Sequence, residues 1–441
     1  MQHSHQQHRE RRARLIAEMR AHGAGGIAAI PTAPEAIRNA DTHYPYRADS
    51  HFHYLSGFPE PEAVVVLVAG AQPGDSRQVL FCRERSAERE VWDGFRYGPD
   101  AAREVFAFDE AHPIGELPAK LAEWAADRPA LYTPLGLYAS WDRQITDTLN
   151  EVRNRVRTGI AAPEAGVDVR AAIAAMRLIK DAQELKLMRR AAEITSAAHR
   201  RAMARTRPGW FEYQVEAELA HEFLRSGAQA VAYPSIVASG PNACVLHYRD
   251  NNRELQASDL LLIDAGCEFE GYASDLTRTF PVSGRFTGAR KAVYELVLAT
   301  QLACIEAVAP GREFHDYHRV AERTLAQGLI DLKLCEGSLD AVLESGAYKQ
   351  FYMHRAGHWL GLDVHDVGLY RLDGASRTLE PGMVLTVEPG CYIRPADNVP
   401  EEFWDIGVRI EDDVLVTATG NENLTGATPK SLSDVEAACA R

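Results

Sequence analysis

Little in this sequence serves a membrane, a disulfide framework or a nucleic acid. The longest apolar run is Ala63–Gly70, far short of the ~20 residues a membrane-spanning helix requires. The polar, basic N-terminus (MQHSHQQHRERRARLIAEMRAHGAGG) lacks the apolar centre of a secretory signal, so export is not expected. Seven cysteines, at 82, 244, 267, 304, 335, 391 and 439, are odd in number and scattered, with no Cys-x-x-Cys. That argues for a reducing, cytoplasmic setting rather than a disulfide scaffold. Positive charge is in deficit. The 48 Lys and Arg against 62 Asp and Glu leave −14, which speaks against nucleic acid or an anionic membrane as partner. A Gly-rich phosphate loop and a Ser nucleophile elbow are both missing, removing two common catalytic classes.

What remains is the profile of a globular protein, 46% hydrophobic and 25% charged over 441 residues; that length suits two to three domains. Residues 9–22 read as a helix with Leu15, Ile16 and Met19 on one face. Gly26–Ile30, Ala63–Ala69 and Val79–Phe81 read as buried strands, and residues 116–126 and 140–153 as helices. This alternation predicts an α/β domain. Gly159, Pro163 and Gly166 cluster within Thr158–Val167 and mark a boundary, giving domains 1–165 and 166–441. The second half opens with helices near 180–205 and 211–225. It continues as strands and hairpins with further helices near 288–308 and 313–328, an α+β pattern.

The second half holds the unusual chemistry. Leu260–Ile263 is an apolar strand ending at Asp264, and Tyr272–Phe280 alternates as a second strand. A hairpin turning at Phe269–Glu270 sets Asp264 opposite Asp275, with Cβ atoms about 5 Å apart. Two carboxylates at that spacing repel by roughly 3 kcal/mol at an effective dielectric constant of about 20. Three arrangements relieve the repulsion: a bound cation, one protonated carboxyl, or Arg278 bridging both.

Further candidates follow along the chain. Met353–Asp366 (MHRAGHWLGLDVHD) places His354, His358 and His365 within twelve positions, His358 being the candidate ligand. Met383–Val387 is an apolar strand that ends at Glu388. In Gly407–Asp413 (GVRIEDD), strand alternation puts Arg409 and Glu411 on one face. Asp264, Asp275, His358, Glu388 and Glu411 together carry a charge of about −4, which two divalent cations balance. Oxygen-rich ligation with one imidazole suits Mn²⁺, Co²⁺ or Mg²⁺ better than structural zinc. Two such ions generate a nucleophile from water at neutral pH, so the residues alone point to metal-assisted hydrolysis.

With these segments in view the chain resembles the aminopeptidase P family, the Xaa-Pro aminopeptidases among the pita-bread metallopeptidases. The resemblance rests on Tyr44–Phe58 (YPYRADSHFHYLSGF), Leu246–Tyr248, Leu262–Phe280, His358–Gly368 (HWLGLDVHDVG), Glu380–Gly390 (EPGMVLTVEPG), Ile406–Asp413 and Gly420–Leu424. It implies an α/β N-terminal domain and an α+β pita-bread catalytic domain. It further implies two Mn²⁺ per subunit, with Asp264 on one ion, His358 and Glu388 on the other, and Asp275 and Glu411 bridging. Glu388 would be the general base, with His247 and His365 as the other catalytic groups. Tyr233, His354, Tyr392 and Arg409 would surround the substrate, joined by Asp41 and Trp92 of the N-terminal domain. The implied substrate is a peptide with proline second, and the implied assembly is a homo-oligomer, a tetramer or dimer. A prolidase acting on dipeptides, or a non-catalytic pita-bread binding protein, is the alternative. One departure stands out: Arg355 occupies a position where the family commonly has glycine, and is expected to restrict the residue after proline.

Overall fold

The computed structural model describes residues 5–23, 25–70 and 72–440. The chain divides into two compact units, Met1–Met176 and Arg177–Arg441.

The first unit is built on a six-stranded mixed sheet. Its centre is Val64–Ala69 beside Gly26–Pro31, both fully buried. Such unbroken apolar runs belong to strands covered on both faces. Arg77–Cys82 and Glu110–Pro113 extend the sheet on one side, Ala130–Thr133 and Ala165–Asp168 on the other. The helix Gln6–Gly23 buries Leu15, Ile16 and Met19 as its periodicity predicts. It also buries Arg12, whose guanidinium is consumed by the Leu55 carbonyl at 2.9 Å, the Ala107 carbonyl at 2.6 Å and Gln78 at 2.8 Å. Helices Leu117–Ala125 and Ala139–Asn154 supply Leu121, Trp124, Trp141 and Ile145 to a core with Ile27, Val66 and Phe81 of the sheet.

The second unit is α+β. Its longest helix, Ala182–Arg205, starts at a capping box in which the Asp181 side chain accepts from the Glu184 backbone and the Glu184 side chain from the Asp181 backbone. Helices Glu212–Arg225, Gly288–Ala307 and Asp316–Asp331 follow. Three antiparallel assemblies carry the site: Ile236–Ser239 with Leu260–Asp264 and Thr277–Pro281; Val384–Val387 with Asp412–Val416 and Asn421–Asn423; and Gly390–Ile393 with Ile406–Arg409.

Three strand expectations are corrected. The hairpin turns at Glu270-Gly271, both at positive φ, not at Phe269–Glu270. Asp264 therefore pairs with Thr277, and Phe269 with Tyr272. The error is two positions, which preserves the face each side chain occupies, so Asp275 becomes the diagonal neighbour of Asp264. The expected strand Tyr272–Phe280 also breaks after Ala273 and resumes at Thr277. A Cβ on Gly266 would lie 1.7 Å from the Ser274 carbonyl oxygen, so this crossing of backbones needs glycine. Likewise the expected strand Gly407–Asp413 is interrupted at Ile410-Glu411, where the chain passes from Ile406–Arg409 to Asp412–Val416.

Candidate metal centre

Each acidic residue of the centre sits where a buried strand ends or breaks. Asp264 closes Leu260–Asp264, and Asp275 lies in the break before Thr277–Pro281. Glu388 follows Val384–Val387, and Glu411 occupies the step before Asp412–Val416. His358 is brought alongside by its own backbone. The Glu388 N–H donates to the Ala356 carbonyl at 2.8 Å and the Thr386 N–H to the His358 carbonyl at 2.9 Å. This approach depends on Gly357, where a Cβ would lie 1.9 Å from the Thr386 oxygen.

The five side chains converge. The Tyr233 hydroxyl donates to Asp264 at 2.6 Å and also contacts Asp275. His358 Nε2 lies 3.5 Å from Asp275 Oδ2 and 3.5 Å from Glu388 Oε1. Ligand atoms of Asp275, His358 and Glu411 all fall within 4.8 Å of one another. His358 Nδ1 donates to the Trp359 carbonyl at 3.0 Å. A carbonyl can only accept, so Nε2 is the nitrogen presented to the carboxylates, as a ligating imidazole requires.

The electrostatics are those of a cation site. Arg409 donates to Asp264 at 2.6 Å; among the described residues it is the one guanidinium paired with any of the four carboxylates. Arg278 does not bridge the aspartates, as one reading allowed. It points to the opposite side, donating to Asp412 at 2.7 Å and to the Glu411 carbonyl at 2.6 Å. Burial, then Asp275 and Glu388, push the Glu411 carboxyl well above its usual range. Burial also lifts Glu388 to about 7, against the pull of His358 and Arg409. His358 is raised to about 9 despite its burial, because Asp275 and Glu388 attract the imidazolium. Buried like charges of this kind are costly unless compensated. A compact donor set of four carboxylates and one correctly turned imidazole fits divalent metal.

The cluster lies in a cleft of about 790 Å³, whose lining also includes Tyr233, His247, His354, His365 and Arg409. His247 and His365 are exposed, and the His365 ring stands edge-on to His358 with centroids 4.3 Å apart. Behind them runs a hydrogen-bonded chain. Arg409 donates to the Tyr392 hydroxyl at 2.9 Å, and that hydroxyl meets His354 Nε2 at 2.8 Å. His354 Nδ1 donates to the Arg355 carbonyl at 2.7 Å, so Nε2 is the acceptor for Tyr392. Burial, then Arg409, hold the His354 imidazole down to about 4. Asp41 and Trp92 are exposed residues of the first unit and do not belong to this lining.

Supporting residues escaped the sequence reading. Thr277 donates to Glu411 at 2.6 Å and accepts from Arg409 Nε at 3.2 Å, joining a carboxylate to the guanidinium beside it. Asp413, fully buried, accepts from the Ser274 hydroxyl at 2.9 Å and from the Asp275 backbone N–H at 3.2 Å. Asp366, next to His365, is locked by Arg177 and by Lys180 at 3.0 Å. The acidic run Glu411-Asp412-Asp413 was a visible signal. The partners of Thr277 and Asp366 lie more than 100 residues away and left none.

Comparison with known proteins agrees with this geometry. Residues 186–418 match the model of metallopeptidase family M24, and residues 8–132 that of the aminopeptidase P N-terminal domain. The chain is 44% identical to the Xaa-Pro aminopeptidase of Escherichia coli, covering 98% of this chain and 97% of that protein. It superposes on the Pseudomonas aeruginosa aminopeptidase PepP with a TM-score of 0.96 at 49% identity, covering 99% and 98% of the two chains. It superposes on zinc-substituted E. coli aminopeptidase P in complex with product with a TM-score of 0.95 at 44% identity, covering 99% and 98%.

Proposed function

The chain belongs to metallopeptidase family M24, and from that membership we propose a two-metal aminopeptidase that removes the first residue from peptides with proline second. The fold is the pita-bread fold preceded by an aminopeptidase P N-terminal domain. The observation that carries the reading is the convergence of Asp264, Asp275, His358, Glu388 and Glu411 in one cleft, on a chain whose full-length relatives are Xaa-Pro aminopeptidases.

These five residues would hold the metal, with Asp275 and Glu411 shared between two ions. Hard oxygen donors and the −4 charge favour two Mn²⁺. When bound, such ions acidify water and polarise a carbonyl. Everything else falls to the protein. Asp264 anchors the free amine of the substrate. Glu388 takes the proton of the attacking water and returns it to the proline nitrogen. His365 and His247, at the cleft mouth, donate to the oxyanion as it develops. Proline gives a tertiary amide with no N–H and a fixed ring; His354, Tyr392 and Arg409 form the wall against which that ring packs. Tyr233 holds the two aspartates in register.

A homo-oligomer, tetramer or dimer, would cover the exposed apolar side chains Ile37, Tyr44, Val91, Trp92 and Phe95 of the first unit, and would carry Asp41 and Trp92 to a site shared between subunits. Cytoplasmic residence suits seven cysteines that are all buried as thiols.

The test compares three substrates with Mn²⁺ added: Xaa-Pro-Yaa, the dipeptide Xaa-Pro, and N-acetylated Xaa-Pro-Yaa. The reading expects the tripeptide to be cleaved well and the acetylated form not at all. Cleavage of the dipeptide alone would make the enzyme a prolidase.

A further inference from the structure

Three arginines with no part in the metal cluster line the same cleft: Arg249, Arg355 and Arg371. All three are exposed, and among the described residues none is paired with a carboxylate. Arg371 donates its Nε to the Gly374 carbonyl at 3.2 Å. Arg355 is aimed by a neutral partner. Its NH1 donates to His315 Nε2 at 2.9 Å. For that nitrogen to accept, the proton of His315 must sit on Nδ1, which faces the Ser376 hydroxyl at 2.8 Å. Burial, then the neighbouring Arg355 and Arg371, hold the His315 pKa down, so the ring stays neutral. Arg355 is therefore positioned without losing its charge.

The cleft is thus polarised, with four carboxylates at its floor and unneutralised guanidinium groups around them. The Ala356 carbonyl, one residue on from Arg355, accepts from the Glu388 N–H at 2.8 Å, so the guanidinium springs from backbone that lies beside a carboxylate of the cluster, a separation on the scale of one short peptide. We propose that Arg355, held by His315, reads a carboxylate on the residue that follows proline. That carboxylate is either the C-terminus of an Xaa-Pro-Yaa tripeptide or the side chain of Asp or Glu at Yaa. The proposal rests on the peptidase reading and names its substrate class: short or acidic peptides, with the amine toward Asp264 and the carboxylate toward Arg355. A guanidinium suits this task because it presents paired donors to a carboxylate.

The test measures kcat/KM on two matched pairs with the Mn²⁺-loaded full-length protein. One pair is Xaa-Pro-Gly against its C-terminal amide. The other is Xaa-Pro-Glu-Gly-amide against Xaa-Pro-Gln-Gly-amide. The wild type is expected to prefer the carboxylate member of at least one pair by about ten-fold, mostly through KM, as one charge-assisted contact supplies. In Arg355→Gln the ratio should fall to near one. The pair that responds identifies which carboxylate is read. Equal rates within both pairs, or a preference that survives Arg355→Gln, would overturn the proposal. Failure of the wild type to cleave any of the four would remove the peptidase reading itself, and this proposal with it.

Discussion

Asp275 is held from three sides. Tyr233 and His358 meet its two carboxylate oxygens, and its N–H is tied to Asp413. Such a residue does not tolerate loss of charge. Asp275→Asn keeps the shape but removes the anion, so metal content by mass spectrometry should drop and activity should fall by at least about 100-fold. His365 behaves differently. It is exposed at the cleft, and partial desolvation of its ring, then His358, keep its imidazole below the usual range. His365→Ala should lower kcat about 100-fold while metal content is retained, the signature of a lost transition-state donor. Loss of metal in His365→Ala, with retention in His358→Ala, would mean the two histidines exchange roles. In the sequence His358 stood out as one of three histidines within twelve positions, Glu388 as an acid at the end of an apolar strand, and Glu411 by sharing a strand face with Arg409. Thr277 did not, since a threonine in a strand is unremarkable until Arg409 and Glu411 arrive on either side of it.

Backbone crossings decide whether these residues meet. Gly266→Ala would drive a methyl group into the Ser274 carbonyl, where only backbone can yield. It should destabilise the fold by at least about 3 kcal/mol, read as a shift in urea midpoint, and displace Asp275 with loss of metal. The helix Ala182–Arg205 contributes a second liability. His199 is fully buried, Nε2 bonds to the Ala265 carbonyl at 3.0 Å, and Nδ1 has no hydrogen-bond partner among the described residues. Burial holds its pKa down to about 4. The folded state thus resists a proton that the unfolded chain accepts near 6.5. The stability this represents is fully present above about pH 6.5 and is lost as pH falls toward 4, roughly 3 kcal/mol in all. His199→Gln should therefore lose less stability than the wild type between pH 7 and 5, compared by urea denaturation. The helices were legible because periodicity and caps are local: 140–153 is observed as Ala139–Asn154, and 211–225 as Glu212–Arg225. Strand breaks were not, since that at Ser274–Leu276 depends on a contact with Gly266, and that at Glu411 on its N–H donating to the Thr277 carbonyl at 3.1 Å. The destination of Arg278 was equally hidden, fixed by Asp412 and the Thr428 and Pro429 carbonyls far along the chain.

For the molecule as a whole, the proposed metal centre would couple metal, stability and activity. Cations that bind only the folded state stabilise it by mass action, so Mn²⁺ should raise the melting temperature of metal-depleted protein, and Mg²⁺ less. The same ions should control the reaction. The most direct measurement is a titration of metal-depleted protein with Mn²⁺, following release of the first residue from Xaa-Pro-Yaa and, in parallel, from Xaa-Ala-Yaa. The account predicts that activity is absent without metal, rises to saturation near two equivalents per chain, and strongly favours the proline peptide. Full activity in the metal-free protein, or equal cleavage of Xaa-Ala-Yaa and Xaa-Pro-Yaa at saturation, would contradict it.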